Sequence, residues 1–265
     1  ISNLLDVTQW GDIVWESFES SFRDWSGVEF NAQDVPDLSQ VTDMNSAFRD
    51  AVNFNHDIGI WDVSNVTNMA NTFFNAANFN QDLNDWDVSN VTNMGNLFRG
   101  AIHFNQNLTN WDVSNVTNMF AIFAFTENFN GDISTWDVSN VSNMGAVFLE
   151  AVAFNNGVTQ WQTNSATTMF NMFGRMQNFD QDLSGWDISN VTNMDGMLNG
   201  SGMSTQNYDK FLISIAAQTV QPDVTLDASG IGHCNEDAVN AIATLQNNNG
   251  WTINDDGAVC SSGND

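Results

Sequence analysis

The sequence predicts an α/β solenoid, with short parallel strands on one face, short helices on the other and a cap at each end. Three observations lead there. Trp-Asp-Val or a close variant recurs every 25 residues, with tryptophans at 61, 86, 111, 136, 161 and 186. Trp86-Asp87-Val88 alternates apolar and polar side chains as a half-buried strand does. Met94, Phe98 and Ala101 are spaced i, i+4, i+7, the apolar face of two helical turns. A fixed period of this length means stacked units, each burying its apolar side only against its neighbours.

The elements follow in order. In residues 1–35, Trp10, Ile13, Val14, Phe18 and Phe22 have helical spacing, which predicts an amphipathic helix over 7–22 covering the open end. Residues 36–213 are the repeat. Its columns run Met44, Met69, Met94, Met119, Met144, Met169, Met194, then Phe48 to Phe173, then Phe54 to Phe179, without an insertion. Thr92, or Ser89 with Asn90, supplies N-cap chemistry before each expected helix. Tyr208, Phe211 and Ile213 read as one more set of core positions. Residues 214–265 form a C-terminal cap with a strand at 224–226, a helix over 235–247 ended by Asn248-Asn249-Gly250, and a strand at 251–253. Ser261 to Asp265 are small and polar, like the start of a linker.

The segment Leu83-x-x-Trp86-x-Val88-x-x-Val91 fits the template of leucine-rich repeats, with bulkier residues in the apolar slots. A parallel β-helix is the rival architecture, against which the Met/Phe/Ala spacing argues. The string Trp-Asp-Val-Ser-x-Val-Thr-x-Met-x-x-x-Phe-x-x-Ala-x-x-Phe-Asn-x-Asp-Leu, nearly letter for letter in residues 61–83, resembles the repeat of BspA-like leucine-rich-repeat bacterial surface proteins. The likeness extends with decay over about 38–213. It implies an exposed or secreted solenoid with adhesive or ligand-binding roles, and no catalytic residues to carry over.

Five Lys and Arg stand against 32 Asp and Glu, a formal net charge of −27. No basic stripe exists to neutralise phosphate, so nucleic acid is excluded as a partner and anionic membranes are disfavoured. Cationic ligands, divalent metals or a saline habitat stay open. No apolar run is long enough to span a membrane. Both cysteines, Cys234 and Cys260, fall in the C-terminal cap. They suggest a disulfide, which would favour an oxidising compartment; two buried thiols are the alternative. A cell-surface or extracellular location is the expectation.

One repeated feature demands an explanation. Asp62, Asp87, Asp112 and Asp137 stack between the Trp and Val columns, Gln162 interrupts them, and Asp187 resumes the row. Carboxylates on parallel strands lie ~5 Å apart and repel by about 0.8 kcal/mol in water, or about 3 kcal/mol at an effective dielectric near 20. Serines such as Ser64, Ser89, Ser114 and Ser139, or backbone amides of the next turn, could offset this. So could Ca²⁺ held by Asp87, Asp112 and Asp137, or a protein or glycan partner lying along the row. Asp57, Asp82, Asn107, Asp132 and Asp182 form a second column suited to Asx turns, and Asn55, Asn80, Asn105, Asn130 and Asn155 a structural asparagine ladder. The Asn-Val-Thr strings match a glycosylation sequon, but as repeat consensus they carry little weight. Acid–base catalysis needs carboxyls in unlike environments, whereas equivalent rungs offer like ones. His56, His103 and His233 share no column, and no nucleophile motif is present. The expectation is therefore a non-catalytic recognition module, with a non-binding spacer and a Ca²⁺-binding solenoid as alternatives, and an ice-binding sheet as a minor one. The fifth unit, Trp161-Gln162-Thr163-Asn164-Ser165-Ala166, departs most from the template and carries Arg175, which reads as neutral drift or as a local binding spot.

Overall fold

A computed structural model describes residues 6–25, 27 and 29–260. The 25-residue units stack on one another in parallel. Single bridges join Asp43 to Asn68, Asn68 to Asn93, Asn93 to Asn118, Asn118 to Asn143, Asn143 to Thr168 and Thr168 to Asn193. Beside each bridge, Thr92 N donates to Thr67 O at 2.9 Å and Met94 N to Asn118 O at 2.9 Å. Pairing therefore falls on Thr-Asn-Met. Trp86-Asp87-Val88, the expected strand, forms none, although Trp86 and Val88 are buried and Asp87 is exposed as alternation requires.

The expected helix over Met94–Ala101 is also absent, as is its equivalent in every unit. In the unit before it, Met69, Asn71, Phe73 and Asn75 send their N–H groups across to Asn93, Gly95, Leu97 and Arg99 carbonyls of the next unit. The N–H groups between them turn back instead, Thr72 to Met69 O and Phe74 to Asn71 O. The backbone manages both directions because the second and sixth residues after Met are left-handed: φ is 58° at Asn71, 54° at Asn75, 57° at Asn96 and 72° at Gly100. Asn and Gly enter that region at least cost. The result still buries Met, Phe and Ala on one side, so the apolar columns survive while the helix does not.

Inside, like residues stack on like. Phe73 and Phe98 lie 5.5 Å apart at 3°, Phe98 and Phe123 5.7 Å at 4°, and Trp111 and Trp136 6.1 Å at 1°. Offset aromatic pairs add to the area they bury. The repeat tryptophans after Trp61 also reach back one unit: Trp86, Trp111, Trp136 and Trp186 donate Nε1–H to the carbonyls of Ile58, Leu83, Leu108 and Val158. This is how an indole is buried without an orphaned donor.

The N-terminal helix expected over 7–22 does not form. β1 (Asp6–Val7) pairs in parallel with β2 (Glu29–Phe30), and the described residues between them hold turns, irregular backbone and one bridge, Val14 to Asp37, but no helix. Trp10, Phe18 and Phe22 still cover the end of the core, Trp10 meeting Trp61 edge-on at 5.4 Å, while Ile13 and Val14 are exposed. Gly11 at φ 70° and left-handed Ser20 and Asp24 break any helical run.

At the other end Tyr208, Phe211 and Ile213 are not a further repeat. They lie on α1 (Thr205–Ala216), which crosses the boundary expected at 213. Ser204 caps it, and Tyr208, Phe211 and Ile215 form its buried side. β3 (Thr225–Asp227) sits on the last unit through the Met194–Leu226 bridge, and β4 (Thr252–Asn254) pairs in parallel with β3. Between them α2 (Glu236–Asn249) is capped by Asn235 and ends at left-handed Gly250, and it packs on α1. The strand and helix expectations for 224–253 are thus met, and the cap continues the stack with two rungs of different sequence. Ser261 to Asp265, the expected linker, lie outside the described residues.

Candidate ligand-binding face

The acidic row is where the alternation of Trp in and Asp out places it. Asp62, Asp87, Asp112, Asp137, Gln162 and Asp187 are all exposed on successive rungs. Every Asp of the row closes the same small ring. Its Oδ1 accepts from the backbone N–H two residues on, Ser64, Ser89, Ser114, Ser139 and Ser189, at 2.9–3.0 Å. Ser89 Oγ adds a 2.6 Å bond to Asp87. The hydroxyl and the amide of the serine hold Asp62 and Asp112 below the usual carboxylate range. These are Asx turns, and they answer the repulsion from within the chain.

The second acidic column does the same. Asp57, Asp82, Asp132 and Asp182 accept from Gly59, Asn84, Ser134 and Ser184 amides. The asparagine ladder is continuous: Asn55, Asn80, Asn105, Asn130 and Asn155 each accept from the amide of the equivalent residue in the following unit, at 2.8–3.1 Å. The sequon asparagines are occupied as well. Asn65, Asn90, Asn115 and Asn190 donate Nδ2–H to carbonyls of the preceding rung. Their amide nitrogens serve the fold.

Gln162 forms no Asx turn; its amide reaches Gln160 O at 3.4 Å. Next to it, Thr163 stands in a valine position yet is buried, and its hydroxyl donates to Asp187 O at 2.8 Å. The bridge through Thr168 keeps the register, and Arg175 pairs with Glu150 at 2.7 Å. The fifth unit's departures are therefore compensated inside the stack. Among the described residues, no group of three or more His, Cys, Asp or Glu could hold a metal ion, Asp87, Asp112 and Asp137 included. Cys234 and Cys260 are joined in a disulfide, with Cα atoms 4.9 Å apart.

One polar cluster was not foreseen from sequence. Asp255 receives Tyr208 Oη–H at 3.2 Å, the His233 ring Nδ1 at 3.0 Å and the Gly257 amide at 2.9 Å. Burial, with Asp255 beside it, pushes the Tyr208 phenol far up and keeps it protonated. Neighbouring Asp209, also buried, accepts the Cys234 and Asn235 amides and so positions the disulfide and the start of α2. The partners lie 22 and 47 residues apart and share no motif. They tie α1 to the end of the cap.

A family model described as "Mycoplasma protein of unknown function, DUF285" matches residues 16–130 and 104–211. The chain belongs to this family. The two matches together span the stacked units and stop short of β3, α2 and β4, so the family is a repeat family and the C-terminal cap lies outside the match. No curated protein and no solved structure matches the chain. Among the described residues no helix is long and apolar enough to cross a membrane.

Proposed function

We propose that the chain is a recognition or adhesion module that binds a protein or glycan partner along the exposed acidic row, outside the cell or on its surface. The observation that carries this reading is the set of Asx turns. Each carboxylate is held in one orientation and repeated rung after rung, so little ordering is left for binding to impose. The likeness of residues 61–83 to the BspA-like repeat supports it, as does a disulfide suited to an oxidising compartment. The stack of rungs is, in the same reading, a capped solenoid. Catalysis is not part of it, because the Asx turns give the carboxylates of the row like surroundings.

The spacer reading has one observation in its favour: every Asp of the row already serves the fold. Replacing Asp87, Asp112 and Asp137 together by Asn separates the two. Asn keeps the Oδ1 acceptor that the serine amide needs and removes only the charge. On an array of glycans and matrix proteins, the variant should lose at least tenfold in capture while still melting as a cooperatively folded chain. Capture unchanged in the variant, or absent from the parent chain, would leave the spacer. A large rise in melting temperature on adding Ca²⁺ would instead establish the metal-binding reading.

A further inference from the structure

Between full repeats, the stretch around each Phe-Asn is bonded to its equivalent in the next unit. Asn80 and Gln81 bond Asn55, and Asn78 Nδ2 donates to Asn53 Oδ1. Asn105 and Gln106 bond Asn80 in the same way. On the other side of residues 53–56 stands the N-terminal cap, whose sequence is different, and there the fit is incomplete. A cavity of about 260 Å³ lies between them, with Trp25 and Glu29 of the cap and Phe54, Asn55 and His56 of the repeat in its wall.

That wall carries an unmet donor. Trp25 is only 7% exposed, and its indole N–H is buried with no hydrogen-bond partner among the described residues. The tryptophans from Trp86 to Trp186 each find a carbonyl in the rung before them; Trp25 finds none. A buried N–H without an acceptor is rare in a folded chain and asks for an explanation. The Trp15 indole shares the lack but is not part of this wall.

The remaining groups restrict what can bring the acceptor. Glu29 is exposed, with His56 Nε2 3.8 Å from its carboxylate. An anion would meet that carboxylate in a chain of net charge −27. A simple ammonium has no acceptor to offer the indole. A neutral group bearing hydroxyls answers both, accepting from Trp25 and donating to Glu29. The volume falls below the ~300–1,000 Å³ of drug-sized sites and suits one ring. We propose that this cavity binds a single neutral sugar ring, free or at the end of a glycan, with hydroxyls on Trp25 and Glu29 and its apolar face against the Trp25 and Phe54 rings. No residue of the acidic row lines it, so the site is independent of the surface proposed above.

Proton–nitrogen correlation NMR on the full chain tests this, the Trp25 indole peak being assigned by its loss in Trp25→Phe. Glucose, galactose, mannose and N-acetylglucosamine are titrated to about 50 mM, and at least one should move that peak saturably, with a Kd of roughly 1 mM. A methyl glycoside of that sugar that binds as well identifies a glycan end, and one that binds more weakly the free monosaccharide. Glu29→Ala, at an exposed side chain, should weaken binding about tenfold while the rest of the spectrum stays that of the folded chain. A Trp25 peak that no sugar moves, Glu29→Ala binding as tightly as the parent, or acetate or ethylammonium moving the peak where sugars do not, would overturn the proposal.

Discussion

At the scale of single residues, the columns divide the chemistry between core and surface. Trp111 is instructive because its indole both stacks on Trp136 and donates to Leu83 O at 2.8 Å in the preceding rung. Trp111→Phe keeps a ring in the stack and loses the donor. A cost of about 1–3 kcal/mol in urea unfolding is expected, the range for leaving a buried carbonyl partner unmet. Asp182 makes a different prediction. Burial pushes its carboxyl up, but the Lys210 ammonium and the Ser184 hydroxyl and amide outweigh this and bring it down to about 2. A carboxyl lowered on folding stabilises above its unfolded pKa, and that contribution fades as pH falls from about 4 to about 2. Lys210→Met should therefore lower the urea midpoint at pH 5, with the difference from the parent shrinking toward pH 2. A difference that did not change with pH would show that the ion pair across Asp182 and α1 is not its source.

At the scale of elements, what could be read from the sequence was which side chains face inward, and what could not was the backbone that turns them there. Met94, Phe98 and Ala101 satisfy the helical spacing, yet Asn96 and Gly100 between them are left-handed. The signal was present: Asn, Ser, Asp or Gly occupies the second and sixth places after Met in most units, residue types that favour turns and positive φ. The apolar spacing outweighed it because a chain of alternating turns buries the same three positions. Trp in and Asp out were legible, and so were the Asx and asparagine rows, since each repeats at fixed offset. The N-terminal helix failed for a related reason, as aromatic spacing alone does not register Gly11. The Tyr208–Asp255–His233 cluster was invisible because only the folded cap brings its members together. One substitution separates the two backbones. Asn96→Ala would stabilise a helix by a few tenths of a kcal/mol, but in the stack it forces alanine to positive φ and should cost about 1 kcal/mol. Asn96→Gly should be tolerated. Thermal melts of both variants give the answer.

At the scale of the whole molecule, each unit leans on the next through main-chain bonds, aromatic stacks and side-chain ladders, and the ends differ in how they are closed. The C-terminal end is closed by side chains that imitate a further unit: Gln218 bonds both Trp186 O and Ile188 N, and Gln221 bonds Ser189 O. Trp251 then donates to Gln221 O as the repeat tryptophans do to the rung before them. The exposed acidic row on the Trp-Asp-Val side exists because successive rungs are built alike. Far-UV circular dichroism tests that common architecture most directly. Among the described residues, helix signal should come from α1 and α2 alone, 12 and 14 residues of a chain of 265. A spectrum that requires a helix in every repeat would contradict the stacked turns and, with them, the placement of the acidic row.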